Sequence, residues 1–522
     1  MNEGKQKILN MLEAGIISQE DAYRLLEAHG PKEGNPFTER QLTAVFRGKN
    51  EEVRVSGFYD GEGVYKVRFM PSFEGEYTYE TSGNFPGAQT AGSFLVTPAS
   101  KGNHGPMRVV NTYHFAYEDA TPYYSVGTTC YAWAHQPEEV HRQTLEELSK
   151  GYFNKMRFCV FPKHYIHNFR DPETFPYEGT PVDNSGLSEE TFTYEADLSG
   201  NSWDFTRFFP EHFRRIERCI LELQERGIEA DLIVMHPYDR WGFSQMTREQ
   251  DDLYWRYVIA RFSAYRNVWW SLANEYDLLR TKTLEDWEHY AALLCELDPY
   301  RHLRGIHNCI SFYDHSRPWI THCSLQRQDL YRHVEYTDEY RTRWGKPVVW
   351  DEISYEGNLD MGWGNISGQE LTRRFWEAAM RGGYAGHGET FVDPEHDILW
   401  WSHGGPLHGE SPARIRFLHQ ILKETPGYGL RRVQGSFDET VGVPDSPGFL
   451  MEGAGGYEIH YYGFGRPSFR DFIKPEGKWQ AEIIDTWEMT VTDAGVHSGK
   501  FRVALPGKEY MAIRLKKLAI SN

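Results

Sequence analysis

The apolar runs in the middle of this 522-residue chain end in side chains able to carry protons or attack carbon. Residues 154–161 carry Arg157, and 229–236 end in His236. Residues 268–274 lead into Asn274-Glu275, and 303–309 carry His307 and Asn308. His322 to Gln326 close the run 319–325, Asp351-Glu352 lie in 346–353, and His387 and Glu389 lie in 383–390. Two carboxylates on separate strand ends, with an arginine, an amide and histidines between them, are the equipment for cleaving a glycosidic bond. One carboxylic acid protonates the leaving oxygen while the other attacks the anomeric carbon. Side-chain alternation puts Glu275 on the face of the small residues Ser271 and Ala273. It puts Glu352 on the face of Val348 and Trp350, which favours Glu352 over Asp351.

Such strand ends need a scaffold that gathers them. With 123–130 added, eight strand-like runs alternate with helical stretches at 138–150, 210–226, 249–265, 283–296 and 369–381. The fold class this implies is α/β, a TIM (β/α)8 barrel over 107–427, with its active site at the C-terminal ends of the strands. The fifth-to-sixth connection is too short for a full helix. Residues 31–106 are short runs rich in Val, Phe and Tyr broken by Gly, Pro and Asn, the spacing of an N-terminal β-sandwich. Residues 428–522 turn β-rich again and read as a C-terminal β-sandwich. Residues 1–30 read as two short helices: Ile8 and Leu12 share one face, and Ser18 with Asp21 caps a second helix through Ala22, Leu25 and Leu26. That stretch resembles the helical hairpins called SHOCT-like, which implies docking or a homo-oligomer.

The segment VWWSLANEYD, with Asn-Glu ending a fourth strand, and KPVVWDEISYEG, with Glu ending a seventh, resemble clan GH-A retaining glycoside hydrolases. More closely, the chain resembles the family that joins an N-terminal β-sandwich, an apiosidase-like TIM barrel and a C-terminal β-sandwich. GFYDGEGVYKVRFMPSFEGEYTY, GNHGPMRVVNTYHFAY, GTTCYAW, FNKMRFCVFPKHY and HPYDRWGF carry that likeness in order, and it covers roughly residues 35–520. The resemblance implies Glu275 as general acid/base and Glu352 as nucleophile. It also implies Asn274 on the sugar 2-hydroxyl, Arg157 hydrogen-bonded to Glu352, and Tyr313 as an orienting tyrosine. The sequence departs from the family at its start, where relatives open the sandwich with a strand and residues 17–30 read as helix.

His236, His307, His322 and Glu389 are further candidates for sugar contact. Trp133, Trp241, Trp400 and Trp401, in loops after the first, third and eighth strands, are candidate rings for the cleft wall, since sugar faces stack on aromatics. The polar, aromatic segment 163–209 is long enough to wall the cleft into a pocket. His164 and His167 lack the partners of a metal set, and neither a phosphate loop nor a GxSxG elbow is present, so no metal and no cofactor is expected. The formal net charge of −19 disfavours nucleic acid and anionic membranes as partners. The six cysteines are widely spaced, and the N-terminal residues lack a signal-peptide core, which together point to the cytoplasm. The expected function is therefore a retaining, exo-acting glycosidase of short oligosaccharides or glycosides. A transglycosidase using the same glutamates and a non-catalytic carbohydrate-binding protein are the alternatives.

Overall fold

The computed structural model describes residues 24–168, 171–392, 399–433, 438–449 and 455–519. Its centre is an eight-stranded sheet. The strands are β1 (Val126–Thr129), β2 (Lys155–Cys159), β3 (Glu229–Met235), β4 (Val268–Ala273), β5 (Arg304–Gly305), β6 (Cys323–Leu325), β7 (Val348–Trp350) and β8 (Tyr384–His387). Their order is β5-β4-β3-β2-β1-β8-β7-β6, with parallel register in, for example, Thr129↔Arg157, Ile233↔Ser271 and Leu325↔Trp350. A parallel bridge between His307 and Ser324 joins the chain after β5 to β6, so the two ends of the sheet meet. The molecule is thus a (β/α)8 barrel with an antiparallel β-sandwich towards each end of the chain.

Besides the single turn Trp400–His403, the α-helices of the described residues are α1 (Glu138–Leu148), α2 (Pro210–Glu225), α3 (Arg248–Phe262), α4 (Leu284–Leu297), α5 (Thr337–Trp344), α6 (Gly368–Met380) and α7 (Ser411–Lys423). The starts of α3 and α4 are set by capping boxes, Thr247 with Gln250 and Thr283 with Asp286, which satisfy amide donors that a helix start leaves open. Every residue of β3 and β4 is buried, as expected where helices cover one face and packed side chains fill the other.

The chain gathers into two compact units. One comprises residues up to 107 with 159–273 and 278–303; the other comprises 108–158, 274–277 and 304 onward. In the first unit, a three-stranded sheet (24–29, 64–69, 58–59) and a four-stranded sheet (52–56, 42–47, 75–83, 90–96) form the N-terminal sandwich. Its core holds Phe46, Val67, Phe69, Tyr77 and Phe94, with Phe46 stacked on Phe69 at 4.1 Å. A buried ion cluster ties this sandwich to two barrel helices of the same unit. Arg261 of α3 binds Glu217 of α2 and Asp60, each at 2.8 Å, and Arg68 reaches Glu217 at 2.5 Å.

Residues 24–29 correct the helical reading of the start of the chain. Arg24–His29 is a strand, antiparallel to Val64–Phe69 with Leu26 opposite Val67. Leu26 and Ala28 are buried while Glu27 and His29 are exposed. That period of two fits an open sheet edge, and pairing there outweighs the helix propensity of Leu, Glu and Ala. The remainder of the expected hairpin, residues 1–23, lies outside the described residues.

The second unit carries the C-terminal six-stranded sheet, in the order 430–432, 440–444, 457–461, 511–517, 469–485, 490–504. Trp479, Val503, Ile513 and Leu515 lie in its core. Asp445 fixes this sheet to the barrel through His114 Nε2 at 2.8 Å and Arg341 Nη2 at 2.5 Å. Thr440 donates to Glu377 of α6 at 2.9 Å.

Candidate active site

The residues that follow β1, β4, β5, β6 and β7 meet within the second unit. β4 stops at Ala273, and Glu275 takes a left-handed backbone, φ 51°, uncommon for a residue with a Cβ. This departs from the alternation expected on sequence, because a turn rather than strand parity aims Glu275. A conformation of this kind costs about 1–3 kcal/mol and persists where surrounding contacts enforce it. Here Gln326 Nε2 donates to Glu275 Oε1 at 2.8 Å, and Asn274 Nδ2 stands 3.4 Å from Oε2. Asp277, two residues on, accepts the backbone amides of Cys309, Ile310 and Ser311 at 2.6–2.8 Å, which pins the loop after β5 beside the site.

After β7, the Trp350 indole donates to Thr337 of α5, so that face of the strand looks towards the helices. Glu352 reaches the site only because the chain leaves β7 after Trp350. Asp351 and Glu352 differ in their surroundings rather than in parity. The Asp351 side chain is 1% exposed and is taken up by Lys155 and Ser324; that of Glu352 keeps 14% exposure. Glu352 Oε1 accepts the hydroxyl proton of Tyr131 and stands 3.4 Å from His307 Nε2. Burial alone would raise its pKa. The His307 contact, the charge of Arg157 and the Tyr131 hydroxyl outweigh burial and bring the carboxyl down to about 2. Tyr131 is driven the other way, by burial first and then by the Glu352 charge, so it remains a donor. Its hydroxyl also lies 3.4 Å from Asn274 Oδ1, linking the two glutamates through Tyr131 and Asn274.

The expected bond from Arg157 to Glu352 is replaced, among the contacts described, by others. Arg157 Nη2 donates to Asn274 Oδ1 at 3.2 Å, and Nε stands 3.9 Å from Asp351. Arg157 acts on Glu352 through its charge. Tyr131, which sequence reasoning did not single out, holds the place expected of Tyr313. Tyr313 packs edge-on against Tyr276 and Trp319. His307 Nδ1 lies 3.0 Å from Ser324 Oγ and its Nε2 3.4 Å from Glu352 Oε1.

His236 lies among backbone groups. Its Nε2 reaches Phe161 O at 3.2 Å and its Nδ1 accepts the Tyr238 amide at 3.2 Å, which occupies both ring nitrogens with backbone. Burial and the nearby Lys163 charge push its pKa down to about 3, so the ring is neutral. Glu389 accepts the amides of His408 and Gly409, while Glu356, opposite it across a short parallel bridge, accepts those of Glu410 and Ser411. Glu389 therefore anchors the loop that opens α7.

Trp133, Trp241 and Trp400 are buried. Trp133 is fully buried and stacked on His141 at 4.5 Å. Trp400 donates to Thr128, and Trp241 donates to Asp171 and stacks on Phe243. Trp401 stands edge-on to Tyr131 at 5.5 Å, and the half-buried Trp363 lies 5.1 Å from Trp401. In the first unit, the segment after β2 forms a hairpin (177–180 with 202–208), and Trp203 of that hairpin donates to Trp241 O. Among the described residues, no group of His, Cys, Asp and Glu is placed to hold a metal. No described helix is long and apolar enough to cross a membrane.

Residues 110–403 match the family described as "Apiosidase-like, catalytic domain", and the chain belongs to that family. Residues 23–84 and 447–516 match two domains of unknown function, DUF5060 and DUF5605. A candidate glycoside hydrolase of known structure from Bacteroides vulgatus is 34% identical, with a TM-score of 0.85 over 95% of this chain and 98% of that one. A glycoside hydrolase family 5 structure, also from Bacteroides vulgatus, shares the fold at 14% identity, with a TM-score of 0.57 over 80% of this chain and 94% of that one. No curated protein sequence matches the chain.

Proposed function

We propose that the protein is a retaining glycosidase in which Glu352 is the nucleophile and Glu275 the general acid/base. The observation that carries this reading is the contrast between the two glutamates. Glu352 is ionised and held by Tyr131 and His307, while Glu275 is aimed by a strained turn and bonded to Gln326. An ionised carboxylate within reach of solvent can attack the anomeric carbon as Glu275 passes its proton to the leaving oxygen. Glu275 then takes a proton from water, and the water oxygen displaces Glu352 from the sugar with a second inversion. Asn274, fixed by Arg157 Nη2 and lying between the two glutamates, is placed for the sugar 2-hydroxyl. Trp363, half-buried beside Trp401, supplies a ring face for the substrate.

The substrate class is a short oligosaccharide or glycoside, attacked from its end. A panel of aryl glycosides covering both anomers, hexoses, pentoses and furanoses, followed by proton NMR of the first product anomer, tests the proposal. Release with retained configuration supports it, and an inverted first product refutes the double displacement. With end-labelled oligosaccharides, monosaccharide as the earliest product supports exo action, and mixed internal fragments refute it.

A further inference from the structure

A cleft of about 630 Å³ opens within the first unit, where the N-terminal sandwich, the hairpin after β2 and α3 meet. Its lining shares no residue with the site around Glu275 and Glu352. The elements around it are tied together by side chains. Asn35 Nδ2 donates to Thr206 Oγ1 of the hairpin at 2.8 Å, and the Tyr257 hydroxyl of α3 donates to Tyr59 O at 2.8 Å. The cleft is therefore built before any occupant arrives, so binding there carries little ordering cost. Helix α3 borders it from Glu249 to Ala260, roughly 16 Å of helix.

Two kinds of side chain line this space. The half-buried rings of Phe37, Tyr59 and Phe205 offer apolar faces. Phe37 packs edge-on against Tyr59 at 5.1 Å and Tyr257 at 5.6 Å, which fixes its orientation. The second kind is cationic: Arg40 is half-buried and Arg256 is exposed on α3. Among the described residues, neither guanidinium has a hydrogen-bond or ion-pair partner, and Arg40 Nε is shielded from solvent as well. Glu249, the carboxylate of the lining, lies two helical turns from Arg256. In a chain of formal net charge −19, carboxylates are plentiful, yet these two arginines are left without one.

A guanidinium fork matches a carboxylate bidentately, and an aromatic face stacks on the apolar face of a sugar ring. Gln41 and Gln250 add amide groups for hydroxyls. The start of α3 is closed by its capping box, which argues against a phosphate as the anion. We propose that this cleft is a second carbohydrate site, which binds a short oligosaccharide carrying a uronic acid. Arg40 and Arg256 take the uronate carboxylate, and the rings take a sugar face. This goes beyond the hydrolytic reading and does not depend on which glutamate attacks.

The test is isothermal titration calorimetry of the full chain with two uronates, trigalacturonic acid and a glucuronic-acid-substituted xylotriose. Their methyl esters and a triglutamate peptide serve as comparators. The expected result is saturable binding of at least one uronate, weakened about tenfold or more by esterification, by Arg256→Gln and by Arg40→Gln. Arg256 is exposed, so Arg256→Gln should keep the wild-type melting temperature while losing affinity. Absence of binding by both uronates at millimolar concentration overturns the proposal. An ester that binds as well as its acid, or an affinity unmoved in either arginine variant, overturns it too. Triglutamate binding as tightly as the better uronate would mean a docking site for an acidic peptide and equally overturns the sugar assignment.

Discussion

Tyr131 donates to Glu352 Oε1 and lies within reach of Asn274, so a single hydroxyl serves both halves of the site. Tyr131→Phe removes a hydrogen bond to a charged group, worth about 1.5–3 kcal/mol, or roughly 10–100-fold in kcat/KM. Because the lost donor favours ionised Glu352, the acid limb of the pH–rate profile should move upward, and an unmoved limb in that profile contradicts the assignment. The two glutamates stood out in the sequence because each ends an apolar run beside a polar neighbour. Tyr131 lies inside the motif GTTCYAW, yet its role appears only when the end of β1 meets that of β7. Parity led to Glu352 for a reason the structure does not support, since Trp350 faces the helix side. What separates Glu352 from Asp351 is that Lys155 and Ser324 occupy Asp351, and such pairing across strands leaves no trace in local sequence.

Strands buried on both faces read as continuous apolar runs, which is why all eight barrel strands were legible. Two of the longer helices were not. The sequence of α5, TDEYRTRW, is nearly all polar, and α7 follows a loop whose anchoring by Glu356 and Glu389 comes from distant strands. Arg24–His29 was misread because Leu, Glu and Ala favour helix locally, while the strand depends on an edge forty residues away. Leu26→Ala should therefore cost about 2–4 kcal/mol in denaturant unfolding, whereas Glu27→Ala on the opposite, exposed face should stay within about 0.5 kcal/mol. Equal costs would contradict the strand. At the loop before α7, a Cβ on Gly409 would come within 2.6 Å of Glu356 Oε2 and 2.7 Å of Glu389 Oε2. Gly409→Ala should lower the melting temperature clearly, and an unchanged value would contradict this packing.

At the scale of the molecule, the order sandwich, barrel, sandwich was visible from the change between strand-only and alternating patterns. The tie between the first sandwich and the barrel helices was not, because Arg68, Glu217 and Arg261 are far apart in the chain. Removing one member leaves buried charge unpaired, so Arg261→Ala should destabilise the fold by about 3–5 kcal/mol in denaturant unfolding. Stability should also depend on pH through Glu389. Burial raises its pKa to about 8 against the amides of His408 and Gly409, which favour the ion. The folded state thus holds a proton that the unfolded state releases from about pH 4.5 upward. That contribution is present at low pH and is lost as pH rises towards 8. Glu389→Gln, neutral at every pH, forfeits an amide acceptor, so it should melt below wild type at pH 5 and close the gap by pH 9. A gap that widens with pH would contradict the buried, protonated Glu389.

The central claim, that Glu352 attacks the anomeric carbon, is tested most directly by Glu352→Ala with azide, on whichever aryl glycoside the wild type cleaves. The account predicts loss of hydrolysis in the variant and return of aryl release with azide, giving a glycosyl azide of inverted anomeric configuration. Hydrolysis by Glu352→Ala at the wild-type rate without azide would contradict it.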